Sequence, residues 1–267
     1  MRRRDFIGAL FAAATMLVEA RAQPATPSEI AKDNDVFTYF YSNPQPERLV
    51  GFLERFQHRA QGWNGFPPVA GFFAVVFRQH SDWIDRLVPD HPDTRTAVAM
   101  AAALRLSGLP QTEPNLQSRL SAAGADPTLR VELANLPPRL EELHVVTPTH
   151  LDVLWGASVA SGDDRYVRMI ADFFATTANH SELIAVDVAK TALAISGGPR
   201  DILGQLRGKY GDEGAREIVF AATAAWALAS NAQQHSFVDK FLTEYIAANS
   251  GSPAAKTLSA LRPRKPT

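Results

Sequence analysis

The stretch "LDVLWGASVASGDD" (residues 151–164) holds the fold question: an apolar run closes at Ser161-Gly162 and two acids follow at once. Two further apolar runs close the same way. Aligned on their last two residues, they read "AVAMAAALRLSG" (97–108), "LDVLWGASVASG" (151–162) and "VDVAKTALAISG" (186–197). A fourth, "FAATAAWALASN" (220–231), ends in Ser-Asn. Glycine stops helices because the residue beyond the cap turns left-handed without a Cβ penalty, and asparagine is the next best substitute. After each stop comes a large apolar pair and a spaced third residue: Tyr166-Val167…Ile170, Ile202-Leu203…Leu206, Phe237-Val238…Phe241 and, more weakly, Leu116…Leu120.

The stops at 162, 197 and 231 lie 35 and 34 residues apart, close to the period of about 34 of tetratricopeptide-type helix hairpins. The first interval, 54 residues, breaks the series, and the W-x2-L-G-x2-Y signature of that repeat is absent. Small residues on the first helices (Ala101, Ala102, Ala103, Gly156, Ala157, Ala224, Ala225) suit close helix approach. No segment alternates with the period of a strand. The expected fold is therefore all-α: stacked antiparallel helix hairpins, solenoid-like, preceded by an aromatic-rich helical part.

That aromatic part holds 12 of the chain's 24 aromatic residues between positions 37 and 83. In "NPQPERLVGFLERFQ" Asn43 is a candidate cap with Pro44 in the first turn, and Leu49, Phe52, Leu53 and Phe56 share one helix face. "PPVAGFFAVVFRQH" predicts a helix opening at Pro67-Pro68, with Phe72, Phe73, Val76 and Phe77 on a stripe. Ser81 is a candidate cap for the short "DWIDRLV". Between the two longer helices, "QGWNGFPP" places Trp63 and Phe66 in a loop. Such rings are either tucked into the core edge or exposed as binding anchors, and these two are the candidate interaction anchors.

The first residues carry an address. "MRRRDFIGALFAAATMLVEARAQ" has a basic start, an apolar core over residues 7–18 and Ala20-Arg21-Ala22 before Gln23, the layout of a secretory signal with an A-x-A cleavage site. Arg3-Arg4-Asp5-Phe6-Ile7 is similar to the twin-arginine signal; the third arginine and short lead leave Sec export as the alternative. Cleavage would leave 23 basic and 26 acidic residues, a net charge of −3, with no electrostatic reason to bind nucleic acid. The chain has no cysteine, which excludes disulfides, thiol chemistry and a lipid-modified N-terminal cysteine. A soluble periplasmic product without stable membrane insertion is expected.

The chain yields no catalytic motif. His144 and His150 lack the i, i+4 spacing of zinc ligands on a helix; Thr147 and Pro148 instead place His150 in a first helical turn, with Asp152 near the favourable end of the dipole. His80-Ser81-Asp82 cannot form a triad from adjacent residues. "GQLRGKY" (204–210) is one residue short of a phosphate loop and carries Tyr210 where Ser or Thr must hold Mg²⁺. Asp163-Asp164 read as the cap and first turn of a helix rather than as paired catalytic carboxylates, and Trp155 and Trp226 as core. No catalytic, metal or cofactor-binding residue is assigned, and no cofactor is expected.

The run "LDVLWGASVASGDDRYVRMIADFF", together with "AAWALASNAQQHSFVDKFL", resembles a group of uncharacterised exported all-helical bacterial proteins. The shared features are an apolar helix with an internal Trp, a Gly-Asp turn, an amphipathic helix and a late Ala-Trp-x-Leu-Ala-x-Asn segment. The resemblance implies helical repeats in the envelope and carries no activity. The expected organisation is a signal peptide (1–22), a loose leader (23–35), one all-helical domain (36–250, with aromatic-rich helices to 90 and helix-hairpin repeats from 91) and a flexible tail (251–267). The leading functional expectation is a protein- or peptide-interaction module rather than an enzyme. Two alternatives stay open: a carrier of an apolar small molecule, and an enzyme whose site is assembled from scattered residues.

Overall fold

The computed structural model describes residues 27–59, 62–109, 114–121, 136–197 and 202–262. Among these the chain is all-helical, with no strand. The proposed export signal lies outside the described residues. Where one domain was expected over 36–250, the chain divides into two compact units, the first ending at Gly162 and the second starting at Asp163.

The first unit contains α1 (Pro27–Thr38), α2 (Phe52–Arg59), α3 (Phe66–Gln79), α4 (Ile84–Leu87), α5 (Thr94–Ser107), α6 (Pro114–Arg119) and α7 (Pro148–Ser161). Its centre is α3. The prolines at the start of α3 take positions whose N–H groups a helix leaves unused. From Phe66 to Phe77 every side chain except Pro68 is buried, so the helix needs neighbours on all sides; α5 and α7 both pack against it.

The α3–α7 crossing is backbone against backbone. A Cβ on Gly71 would sit 1.8 Å from the Val153 carbonyl oxygen, and one on Gly156 would sit 1.8 Å from the Pro68 carbonyl oxygen. Two glycines facing opposite helices therefore set the separation, and no other residue fits either position. Around α3 the rings form a connected set. Phe37 stacks on Phe72 at 4.5 Å and on Phe52 at 5.8 Å, and Phe56 meets Phe66 edge-on at 5.1 Å.

Helix ends in this unit follow local chemistry. Asp93 accepts from Thr96 N–H at 2.8 Å to start α5, and the Thr147 hydroxyl accepts from His150 N–H to start α7. Both helices stop at a left-handed glycine, Gly108 (φ 74°) and Gly162 (φ 66°). Arg78 then donates to the Leu106 and Ser107 carbonyls at 3.1 and 3.2 Å, satisfying acceptors that the end of α5 leaves open. Asp33, buried on α1, is held by Arg55 at 2.7 Å and Arg59 at 2.9 Å from α2.

Three local expectations need correction here. Residues from Pro27 onward are helical rather than a loose leader, because Val36, Phe37 and Asp33 have buried partners to hold them. Asn43-Pro44 does not start a helix. Pro46–Leu49 forms a single 3-10 turn, Gly51 breaks the chain at φ 72°, and only then does α2 begin. Leu49, Phe52, Leu53 and Phe56 are nevertheless all buried. Ser81 caps nothing and instead opens a 3-10 turn, Ser81–Trp83, that runs into α4.

The second unit contains α8 (Asp164–Ala178), α9 (Glu182–Gly197), α10 (Ile202–Asn231), α11 (Ser236–Ala248) and α12 (Pro253–Leu261). The Asp163 carboxylate accepts from Arg165 N–H at 2.9 Å, the capping role read from the sequence. Tyr166, Val167, Ile170 and Phe174 form the buried face of α8. Gly211 breaks α10 at φ 73° and ψ −179°, a conformation open essentially to glycine alone. Beyond the break, Ala215, Ile218, Ala221, Ala222, Ala225 and Leu228 are buried.

Each helix from α8 to α12 packs on the next. The aligned stops of the last two runs differ from the first two: Gly197 and Asn231 are the final residues inside their helices. The tail is another correction. Residues 253–261 form α12, started by the Ser252 hydroxyl on Ala255 N–H and by the Asn179 side-chain oxygen on Ala254 N–H. Ala254, Ala255, Thr257 and Leu258 are buried, with α12 against α9 and α11. Burial of one face is what fixes this short helix.

Candidate functional site

The anchors read from the sequence part company. Phe66 is fully buried as the first residue of α3, under the guanidinium of Arg95 at 5.2 Å. It takes the core alternative and is unavailable as an exposed anchor. Trp63 sits in the Trp63–Gly65 turn, half-buried and stacked on Phe66 at 5.8 Å, with its indole N–H enclosed and lacking an acceptor among the described residues. The two rings make one cluster whose inner member is structural.

The residues weighed for chemistry hold structural positions. His150 Nδ1 lies 2.9 Å from the His144 carbonyl oxygen and 3.3 Å from the Val146 backbone nitrogen, closing the turn before α7. Asp152, two residues further along, has its carboxyl raised to about 7 by burial; desolvation outweighs any help from the helix dipole. Three residues on, the enclosed Trp155 indole N–H also lacks an acceptor among the described residues. His235, at the start of α11, is almost wholly buried, and burial lowers its imidazole to about 4. Among the described residues no group of three His, Asp or Glu side chains is arranged to hold a metal ion. No helix there is long and apolar enough to cross a membrane.

The surface that stands out is on α9. One face, Ala185, Val188, Thr191 and Ala192, is buried. The other exposes Leu183 at 56%, Val186 at 45% and Leu193 at 58%. Lys190 stands between the last two and is exposed as well. The positions 183, 186, 190 and 193 recur at spacings of three and four, the seam pattern of a helix that pairs with another helix. Leu203, at the start of α10, is a further exposed apolar side chain of this unit.

Beside the seam, Asp187 is fastened to α10. Lys209 Nζ at 2.6 Å and the Tyr210 hydroxyl at 2.7 Å both donate to its Oδ2. Burial works to raise the Asp187 carboxyl but is outweighed by these bonds and by the charges of Lys209 and Lys190, which leave it below the usual range. The "GQLRGKY" segment thus serves as a clasp between α10 and α9. Sequence reading missed the α9 face, although "ELIAVDVAKTALAI" carries apolar residues all around the helix, more than one neighbour covers.

No protein-family model, curated protein or solved structure matches this chain.

Proposed function

We propose that the protein is exported to the periplasm and acts there as a protein- or peptide-interaction module built from helix hairpins. The observation that carries this reading is the exposed apolar face of α9, because exposed leucines in helical register are a surface that water disfavours and a partner covers. The hairpin element is supported by the packing of each helix from α8 to α12 on its successor. Since α12 also touches α8 and α9, the proposed solenoid-like stack is short and closed by its last helix. Export rests on the basic-apolar-A-x-A layout of residues 1–22 and its twin-arginine-like start, and kinship with exported helical-repeat proteins on the segments quoted above.

A photo-activated cross-linker at Leu183, used in the periplasm with mass spectrometry, tests the reading. A protein adduct is expected. Absence of any adduct, with purified protein carrying a lipid or metabolite, would replace the interaction reading by the carrier one.

A further inference from the structure

The arrangement of residues along the α9 seam has a symmetry that bears on its partner. Leu183 and Leu193 lie five residues either side of position 188, and Val186 and Lys190 lie two either side. A helix with this pattern is complementary to itself when run antiparallel. A twofold axis at position 188 sets Leu183 against Leu193 of a second copy and Val186 against its Lys190.

The charges select the same direction. In a parallel pair, Lys190 would face Lys190, a like-charge contact in the seam. In the antiparallel pair the aliphatic stem of Lys190 covers Val186, and its ammonium comes within reach of Asp187, the next residue on that helix. Lys190 makes no ion pair among the described residues, and both bonds to Asp187 fall on Oδ2, leaving Oδ1 without one there.

We infer that α9 is a self-association surface, pairing with α9 of a second copy in antiparallel register about position 188. This deepens the interaction reading above and rests on it. A 16-residue helix extends about 24 Å, and one seam of that length covers less than the roughly 800 Å² per partner of a tight interface. The dimer is therefore expected to be reversible and concentration-dependent.

The absence of native cysteine allows a direct test on the full mature chain. Leu183→Cys and Leu193→Cys variants, both at exposed positions, are oxidised separately and mixed. Antiparallel pairing brings 183 to 193 of the second copy, while 183 and its own copy stand about 15 Å apart, beyond the ~7 Å reach of a disulfide. The mixture is expected to cross-link at least tenfold faster than either variant alone. In sedimentation of cysteine-free protein, Lys190→Glu is expected to weaken the dimer at least tenfold and Lys190→Arg to leave it unchanged.

Cross-linking of Leu183→Cys alone as fast as the mixture would overturn the antiparallel register. A wild-type chain that sediments as a monomer up to millimolar concentration would overturn self-association altogether. If that monomer still yields the Leu183 protein adduct in the periplasm, the interaction reading survives and only the self-pairing is lost.

Discussion

The first unit is centred on α3, where Phe66, Phe72, Phe73 and Phe77 are all fully buried and two glycines bring helix backbones into contact. The second is centred on the later part of α10, where the buried positions are mostly alanine and the neighbouring α9 keeps leucines in water. Rings bury about 150–250 Å² each, and alanine far less. An alanine face does allow helices close together, but it removes less apolar area from water per residue. The core of the first unit is thus built largely of rings, and in the second unit α9 leaves Leu183, Val186 and Leu193 exposed.

One buried or part-buried titratable residue in each unit responds to acid in the opposite sense. Asp152 in the first unit binds a proton near pH 7 when folded, against about 3.9 for an unfolded aspartate. Folding at this residue is disfavoured as pH rises from about 4 to 7. His235 in the second unit stays neutral down to about pH 4 when folded, whereas an unfolded histidine protonates near 6.5. Stability present above pH 6.5 is lost there as pH falls toward 4. At these two residues mild acid therefore acts in opposite directions.

The contrast can be broken most sharply at the backbone crossing. Gly71→Val is expected to unfold the first unit and Gly71→Ala to cost about 3 kcal/mol or more, since the clashing atoms are backbone and cannot yield. Trp226 is the only tryptophan of the second unit. A variant with the other three changed to Phe therefore reports that unit separately by fluorescence, and should show little change on Gly71→Ala.

Next in size is the acid response. Denaturant melts followed at Trp226 are expected to lose about 3 kcal/mol between pH 6.5 and 4, and His235→Phe should abolish that slope. An unchanged slope would remove His235 from the comparison. Asp152→Asn is expected to gain about 4 kcal/mol above pH 7, shrinking to nothing below pH 4, when melts are followed at the first-unit tryptophans. The smallest effect belongs to the exposed face: Leu193→Glu should alter stability by no more than about 0.5 kcal/mol, while Leu228→Glu, aimed at the buried side of α10, should unfold the second unit.

What could be read along the chain was local. Thr147, Asp163 and Gly162 were legible as cap, cap and stop because each acts on backbone groups within a few residues of itself. The Trp63–Phe66 pair was legible as aromatic but not as to its inner member, since the same spacing serves a core edge or a surface anchor. Gly156 was marked as a small residue, and Gly71 passed unmarked within a phenylalanine-rich run; only the crossing of α3 and α7 makes both necessary. The break at Gly51 and the helix from Pro253 were hidden for the same reason, because their cause is contact with residues distant in the chain.

By itself the sequence determined the all-helical class, several helix ends, the absence of thiol chemistry and the export-like start, all consequences of composition and short-range geometry. The tertiary structure decided the division at Gly162, the desolvation of the part-buried Asp152 carboxyl, the burial of His235, and which side of α9 faces water. Periodicity marks where apolar residues share a face. Whether a neighbour covers that face depends on long-range packing, which no local pattern encodes.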